Sequence, residues 1–317
     1  MALKEALMVK SEYNLASGKS LTLKAETGES FLIKDIYTVG GTCDYCLISI
    51  DRDTVGYFRG QGHIAHSHLY PPREVDGAGY SALDSVRSKT LLGLMIRQGY
   101  FKGFPVAEGQ KFVISPVPDS KSLGSVVVIY EKYDAEDIKK NMTNGSEAKE
   151  YVYIAYGRIS EEVKKSGEYT YDVMVNPEEF VDFPFERECP AKHEIELLGI
   201  TGWEVVSIAD SSNYSYTKYL KLFKGRKLLF DSEKKGLPLF QWYITGATGH
   251  VAGKGISVLG QYTIKDYRLP LLFDTPIKFT AGEELRLILD VGSVGSGNTF
   301  DSNFLELGLI LRTKVTE

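Results

Sequence analysis

From Lys19 onward apolar residues recur at every second position, the period of a strand with one buried face. Leu21 and Leu23 begin the pattern in KSLTLKA (19–25), and Phe31 and Ile33 continue it in ESFLIKDIYTV. CLISIDRDTVGYFRG reads as a hairpin. Cys46, Ile48 and Ile50 alternate inward, DRDT supplies the turn, and Val55 and Tyr57 resume the alternation. KFVISPV and GSVVVIYEKYD are two further strands. A second series follows: YVYIAYGRI, EYTYDVMVN, EIELLGITGWEVVSIA, the hairpin YTKYLKLFKGRKLLFD with its KGR turn, QWYITGATGHVAGKGISVLGQYTI, RLPLLF, ELRLILDV and FLELGLILRTKV.

Two stretches depart from this period. In ALKEALMVK (2–10) Leu3 and Leu7 stand four apart with Ala6 between them, which predicts a short N-terminal helix, an arm tucked on the body or docked on a neighbouring subunit or membrane surface. In YSALDSVRSKTLLGLMIRQG, Ser81 is a candidate cap, and Leu83, Val86, Leu91 and Leu94 follow helical spacing, predicting one helix over 81–97 in a long loop. DAEDIKKNMTNGSEAKE is polar and aperiodic, the composition of a linker. The chain thus divides into an N-terminal arm (1–16), a first β-sandwich (17–135), a linker (136–150) and a second β-sandwich (151–317).

The halves resemble each other. Setting VAEGQKFVIS (106–115) on FTAGEELRLIL (279–289) with Gly109 over Gly282, a shift of 282 − 109 = 173, brings Val106 onto Phe279, Phe112 onto Leu285 and Ile114 onto Leu287. FLIKDI lies on IELLGI at a shift of 164, Phe31 over Ile195 and Ile36 over Ile200. The drift of nine between the shifts is what one longer loop in the second half would produce. Unrelated all-β domains also share alternating hairpins, so the match is an expectation of duplication. Each half carries seven or eight strands with regularly spaced turns, the cue for sandwich, jelly-roll or barrel topologies. The expected fold is all-β, two tandem jelly-roll β-sandwiches with a short N-terminal helix and one helix in a long loop of the first.

Composition supports sheet: 20 Tyr and 15 Phe suit a pleated, half-buried surface, and 31 Gly suit tight turns. With 37 basic and 42 acidic residues, and no stretch that concentrates Lys and Arg, direct nucleic-acid binding is not expected. Lys4 and Glu5 interrupt what a secretory signal would keep apolar, and no window has the roughly 18 uncharged apolar residues of a spanning helix. Three cysteines cannot form a disulfide framework, which fits reducing surroundings. The sequons at Asn141, Asn144 and Asn213 then carry no meaning.

Candidate chemistry is sparse. CDYC (43–46), followed by HIAHSH (63–68), offers Cys43, Cys46, His63, His66 and His68 as tetrahedral metal ligands, but a strand hairpin fills the gap where a metal knuckle wants a compact turn. Cys46 also falls on the inward side of its strand, where a small thiol is ordinary core. CPAKH (189–193) pairs Cys189 with His193 but lacks an identifiable third partner. TGATGHVAGKGIS (245–257) mimics a phosphate loop, yet Thr248 stands where Gly is required and Gly255 where a hydroxyl is required. Glu161 and Glu162, Glu178 and Glu179, and Glu283 and Glu284 are adjacent pairs that a strand sends to opposite faces. Trp203, Trp242, Tyr214 and Tyr216 are candidates for core packing or a sugar-stacking platform. No residue is assigned a catalytic, cofactor-binding or metal role, and no enzyme or cofactor is expected.

Two consecutive jelly rolls of this size, preceded by a short amphipathic segment and elaborated by loops and one helix, resemble the double jelly-roll major capsid proteins of icosahedral viruses of bacteria and archaea. The resemblance covers 17–317 as architecture, with no motif matched residue by residue. It implies a homotrimer of six sandwiches tiling a virion shell by lateral contacts, made in the host cytoplasm, with other capsid proteins or an internal membrane as partners of the N-terminal segment. The alternative from another class is a carbohydrate-binding or host-attachment protein, a spike or fibre head of tandem sandwiches. A hydrolase on the same fold would require Cys189 and His193, or two carboxylates, to converge in a pocket.

Overall fold

The alternating segments of the first half become strands β1 (Leu3–Leu15), β2 (Leu21–Lys24), β3 (Glu29–Gly40), β4 (Tyr45–Ile50) and β5 (Asp53–Arg59). They are followed by the short β6 (Val75–Asp76) and β7 (Gly79–Tyr80), helix α1 (Leu91–Arg97), β8 (Phe104–Val106), β9 (Lys111–Val117) and β10 (Gly124–Asp134). The second half supplies β11 (Lys149–Ile159), β12 (Gly167–Asp172), β13 (His193–Gly202), β14 (Ser215–Lys224), β15 (Lys227–Leu228), β16 (Leu237–Thr245), β17 (Val251–Gly255), β18 (Leu271–Thr280), β19 (Leu285–Ser293) and β20 (Leu307–Val315). This computed structural model describes residues 3–43, 45–59, 75–76, 79–80, 91–138, 149–159, 161–172, 188–202, 215–245, 251–255, 271–294 and 307–315. The chain forms two compact units, Met1–Ile154 with Thr316–Glu317, and Ala155–Val315.

In the first unit two four-stranded sheets run in the orders β1-β10-β3-β8 and β2-β9-β4-β5. Their pairings are antiparallel, and the hydrophobic alternation sets the register. Ile114 on β9 lies opposite Leu21 on one side and Ile48 on the other, and all three are buried. Phe104 of one sheet approaches Phe58 and Phe112 of the other, each at 6.4 Å between ring centroids. These side chains, with Ile33, Ile36, Val126 and Val128, form a buried, sandwich-like core. Fully burying each contributes about 1.5–3 kcal/mol.

The second unit repeats the arrangement. Its strands follow the path β17-β16-β14-β19-β12-β11-β20-β13-β18, with β15 paired to β14. Within this path lie β11-β20-β13-β18 and β12-β19-β14-β16, joined where Arg158 and Ile159 pair with Asp172 and Tyr171. Numbering the eight principal strands of each unit in chain order, both units pair first with eighth, second with seventh, third with sixth and fourth with fifth. The core is again aliphatic: Ile195, Leu197, Ile200, Phe279, Leu287, Leu309 and Leu311 are all buried.

Three turns are also shared. Between the sixth and seventh strands, the amide of Gly109 donates to the carbonyl of Ala25 (2.9 Å) and the amide of Gly282 to that of Cys189 (2.9 Å). In return, the amides of Ala25 and Cys189 donate to the carbonyls of Gln110 (3.0 Å) and Glu283 (2.8 Å). Gln110 and Glu283 each reach back with a side-chain oxygen to the amide three residues earlier, at Ala107 (2.9 Å) and Thr280 (2.8 Å). Between the second and third strands, Gly28 (φ 83°) and Lys192 (φ 63°) take the same left-handed position. Each turn there is closed by an i to i+3 backbone bond, Glu29 to Glu26 (3.1 Å) and His193 to Pro190 (3.2 Å). In the hairpins β4–β5 and β14–β15, Asp51 (φ 55°) and Gly225 (φ 56°) donate to Lys111 and Glu284, both at 2.8 Å.

One expected element is corrected. The N-terminal segment is a 13-residue strand, not a helical arm, and it pairs with β10 from Leu3 opposite Tyr133 to Leu15 opposite Gly124. The four-residue spacing of Leu3 and Leu7 has a different origin. The ladder slips between Leu3 and Glu5 and again between Glu5 and Met8, and each extra residue breaks the period-two pattern that would mark a strand. The valine-rich β10 supplies a pairing partner that outweighs the weak helical preference of so short a segment. Helix α1 covers Leu91–Arg97 of the expected 81–97 helix, with Leu92 and Met95 buried. Residues 81–90 of that expectation, and 139–148 of the expected linker, lie outside the described residues.

Candidate functional site

Cys43 and Cys46 are buried, with their sulfurs 3.9 Å apart. The hydrogen bond with Cys43, then burial, then the charge of its neighbour push the Cys46 thiol well above the usual range, so Cys46 is protonated at neutral pH. His63, His66 and His68 lie outside the described residues. Among the described residues no group of three His, Cys, Asp or Glu could hold a metal ion.

The CPAKH pair does not form a nucleophile and base. The Cys189 sulfur contacts the backbone carbonyls of His193 (3.4 Å) and Phe279 (3.6 Å), while the His193 ring places Nδ1 2.8 Å from the Ala191 carbonyl. Burial raises the Cys189 thiol, against the lowering effect of the Ile195 amide. Its place is structural: it is the residue that exchanges backbone bonds with the Gly282 turn. The phosphate-loop mimic is also resolved in part, since Val251–Gly255 is strand β17, paired with β16.

Of the carboxylate pairs, Glu161 and Glu162 are exposed, and Glu162 pairs with Lys164 at 2.6 Å. Glu178 and Glu179 lie outside the described residues, as do Trp203 and Tyr214 and the sequon residues Asn141, Asn144 and Asn213. Tyr216 and Trp242 occupy opposite register positions on β14 and β16.

Glu283 and Glu284 belong to a feature that residue spacing does not reveal. The β14–β15 turn (Lys224–Lys227) and the β18–β19 turn (Gly282–Glu284) flank an open cleft of about 770 Å³, with Glu188 and Arg286 at its sides. The turns are nearly sixty residues apart, and the pairing of Lys224 with Leu285 brings them together. Lys224 binds Glu283 at 2.9 Å and approaches the ring of Phe279, and Arg286 lies over the ring of Phe223. The Thr280 amide, then the Lys224 ammonium, hold Glu283 below the usual carboxylate range, so it is ionised and a poor general acid. Ligand sites of this size are mostly apolar; these walls are charged, with Lys224 and Glu283 paired across the two turns.

Glu196, on β13, is the buried carboxylate among the described residues of the second unit. It faces Arg312 on β20, whose Nε donates to it at 2.6 Å, and Lys278 stands 3.4 Å away. Burial by itself would raise its pKa, but the Arg312 hydrogen bond and charge, with Lys314 and Lys278, bring it below the usual range. This is a structural ion pair across two strands.

Among the described residues no helix is long and apolar enough to cross a membrane. No protein-family model matches the chain, and no curated protein matches it in sequence.

Proposed function

We propose that the chain is a viral coat protein, a major capsid subunit built of two tandem jelly rolls that assembles into an icosahedral shell through the sides of its sandwiches. The observation that carries this reading is the strand order. Both units pair first with eighth, second with seventh, third with sixth and fourth with fifth, the order expected of one long hairpin rolled up as a jelly roll, and this supports the reading. The fold is one on which coat proteins and lectins are both built, so the reading leans on duplication as well. Two copies of a rigid sandwich on one chain give a subunit with two similar sets of flanks for lateral contact, and a homotrimer of such chains has pseudo-sixfold outline. Neither Cys189 with His193 nor the charged cleft offers the activated nucleophile or acid and base pair that a hydrolase requires.

The test is assembly. The full chain, expressed in the cytoplasm of a bacterial host, is expected to give trimers by size-exclusion chromatography with light scattering, and closed particles by negative-stain electron microscopy. A chain that stays monomeric at all concentrations and binds glycans on an array would replace this reading with the attachment-protein alternative.

A further inference from the structure

Four of the five large apolar side chains that stand exposed among the described residues lie on a single strand. They are Leu3 (48% exposed), Leu7 (54%), Val9 (54%) and Tyr13 (90%), all on β1. The fifth, Phe230, stacks on Phe273 at 5.0 Å. β1 is the outer strand of its sheet, and among the described residues it pairs with β10 alone, leaving its other edge without a ladder. The equivalent first strand of the second unit, β11, meets β20 on one edge and β12 on the other. A 13-residue outer strand with apolar side chains is the kind of edge that natural sheets ordinarily shorten, cover or charge.

The charges on β1 do not protect it, because they cancel. Lys4 and Lys10 are matched by Glu5 and Glu12, and their order along the strand is complementary to the same strand run backwards. Place two antiparallel copies with Met8 opposite Met8. Leu7 then faces the partner's Val9, Leu3 faces the partner's Tyr13, and Lys4 faces the partner's Glu12, each pairing occurring twice about the two-fold axis. Moving the centre to Leu7 sets Lys4 against the partner's Lys10, and moving it to Val9 leaves Lys4 opposite the partner's Asn14 and Tyr13 opposite the partner's Glu5. The Met8 register alone matches every exposed apolar residue of the strand with another. Cross-strand apolar and opposite-charge pairs each stabilise a ladder, while like charges directly opposite weaken it.

We propose that β1 is a self-association edge: two copies of this chain join their first sheets by antiparallel β1–β1 pairing centred on Met8, giving an isologous dimer contact. The occupant is a second copy because the strand is neutral and complementary to itself, and an isologous interface requires a patch that matches its own inverse. The ladder supplies main-chain hydrogen bonds to an edge that has no strand partner among the described residues, and it covers Leu7, Val9 and Tyr13 together. The β1–β10 ladder slips at three places, between Leu3 and Glu5, Glu5 and Met8, and Glu12 and Leu15, and Leu3 through Leu7 are exposed at every position, so this end of the strand is accessible to the partner's Val9 to Tyr13. The pairing does not rest on the coat-protein reading.

Three full-chain variants test it by sedimentation velocity and oxidative cross-linking. The wild-type protein is expected to show a reversible two-by-two association, of single chains or of trimers. Val9→Lys, at an exposed position that the fold does not need, weakens it about tenfold or more. Met8→Cys, which sets two thiols face to face on the axis, forms a covalent dimer on mild oxidation. Tyr13→Cys, whose opposite residue is Leu3, does not. The three native cysteines are buried and stay out of the reaction. A monomeric wild type, an association indifferent to Val9→Lys, or cross-linking at Tyr13→Cys as efficient as at Met8→Cys overturns the proposal. A trimer or shell that survives Val9→Lys removes this contact and leaves the coat reading standing.

Discussion

Gly109 and Gly282 hold the same position in two sandwiches, each donating its amide to a buried residue before the third strand of its own unit, Ala25 in one and Cys189 in the other. The offset of these acceptors, 189 − 25 = 164, equals that of FLIKDI on IELLGI. Both glycines have φ near +80°, and nothing lies within 4 Å of a Cβ added at either. The penalty for a side chain there is therefore purely conformational. Gly109→Ala and Gly282→Ala are each expected to destabilise the protein by about 1–2 kcal/mol in urea or guanidinium unfolding. Equal losses would follow from the shared turn; no loss at either site would contradict the backbone geometry.

Lys192 occupies the left-handed position that Gly28 holds in the first unit. A lysine bears a steric cost in that conformation that glycine does not, so Lys192→Gly is expected to stabilise the second unit by about 0.5–1 kcal/mol, the left-handed penalty less the entropy that glycine adds to the unfolded chain. Asp51 presents the opposite case. Its counterpart is Gly225, but its carboxylate accepts the Lys111 amide at 2.9 Å and the Gln110 side chain at 3.2 Å. Asp51→Gly should therefore lower stability although it relieves the same backbone strain. Thermal melts of the two variants moving in the same direction would show that the φ values, rather than the side-chain bonds, decide.

These pairs also show what was legible beforehand. The β4–β5 and β14–β15 hairpins could be read because DRDT and KGR are local turn chemistry, β9 because its alternation is unbroken, and β10 because of its run of β-branched residues. The shifts of 173 and 164 were sound: Phe31 pairs with Val106 and Ile195 with Phe279, so both alignments meet in one equivalent strand pair. The drift between them falls largely between the third and fourth strands, where four residues separate β3 from β4 and twelve separate β13 from β14. The second-to-third-strand turn escaped notice because Lys192 replaces a glycine, erasing the residue type that advertises a left-handed position. β1 escaped because its slips destroy the period. The charged cleft escaped because register, not spacing, assembles it.

Cys43, Cys46 and Cys189 are free thiols, all buried, and both Cys46 and Cys189 have their pKa raised. Reactivity belongs to the exposed thiolate. The native protein at neutral pH is expected to leave all three unmodified by Ellman's reagent over minutes and to titrate three thiols once unfolded in guanidinium. Rapid reaction of one or more thiols in the native state would show that the packing around CDYC or CPAKH is open.

Glu196 and Arg312 make the sharpest electrostatic prediction. Arg312→Met leaves a carboxylate with 5% exposure facing an apolar chain, with only Lys278 and Lys314 to compensate. Breaking a buried pair from one side costs about 3–5 kcal/mol, and the partial exposure of Arg312 places the expected loss near the lower figure. The sign of the pH dependence follows from the lowered pKa of Glu196. Its contribution is complete above the unfolded-state carboxylate value of about 4.3 and is lost as pH falls through the lower folded value. Wild type and Arg312→Met should therefore differ most near neutrality and converge below about pH 4. Unfolding free energies at a series of pH values check this: a gap that stays constant into acid would mean that Arg312 contributes packing rather than charge.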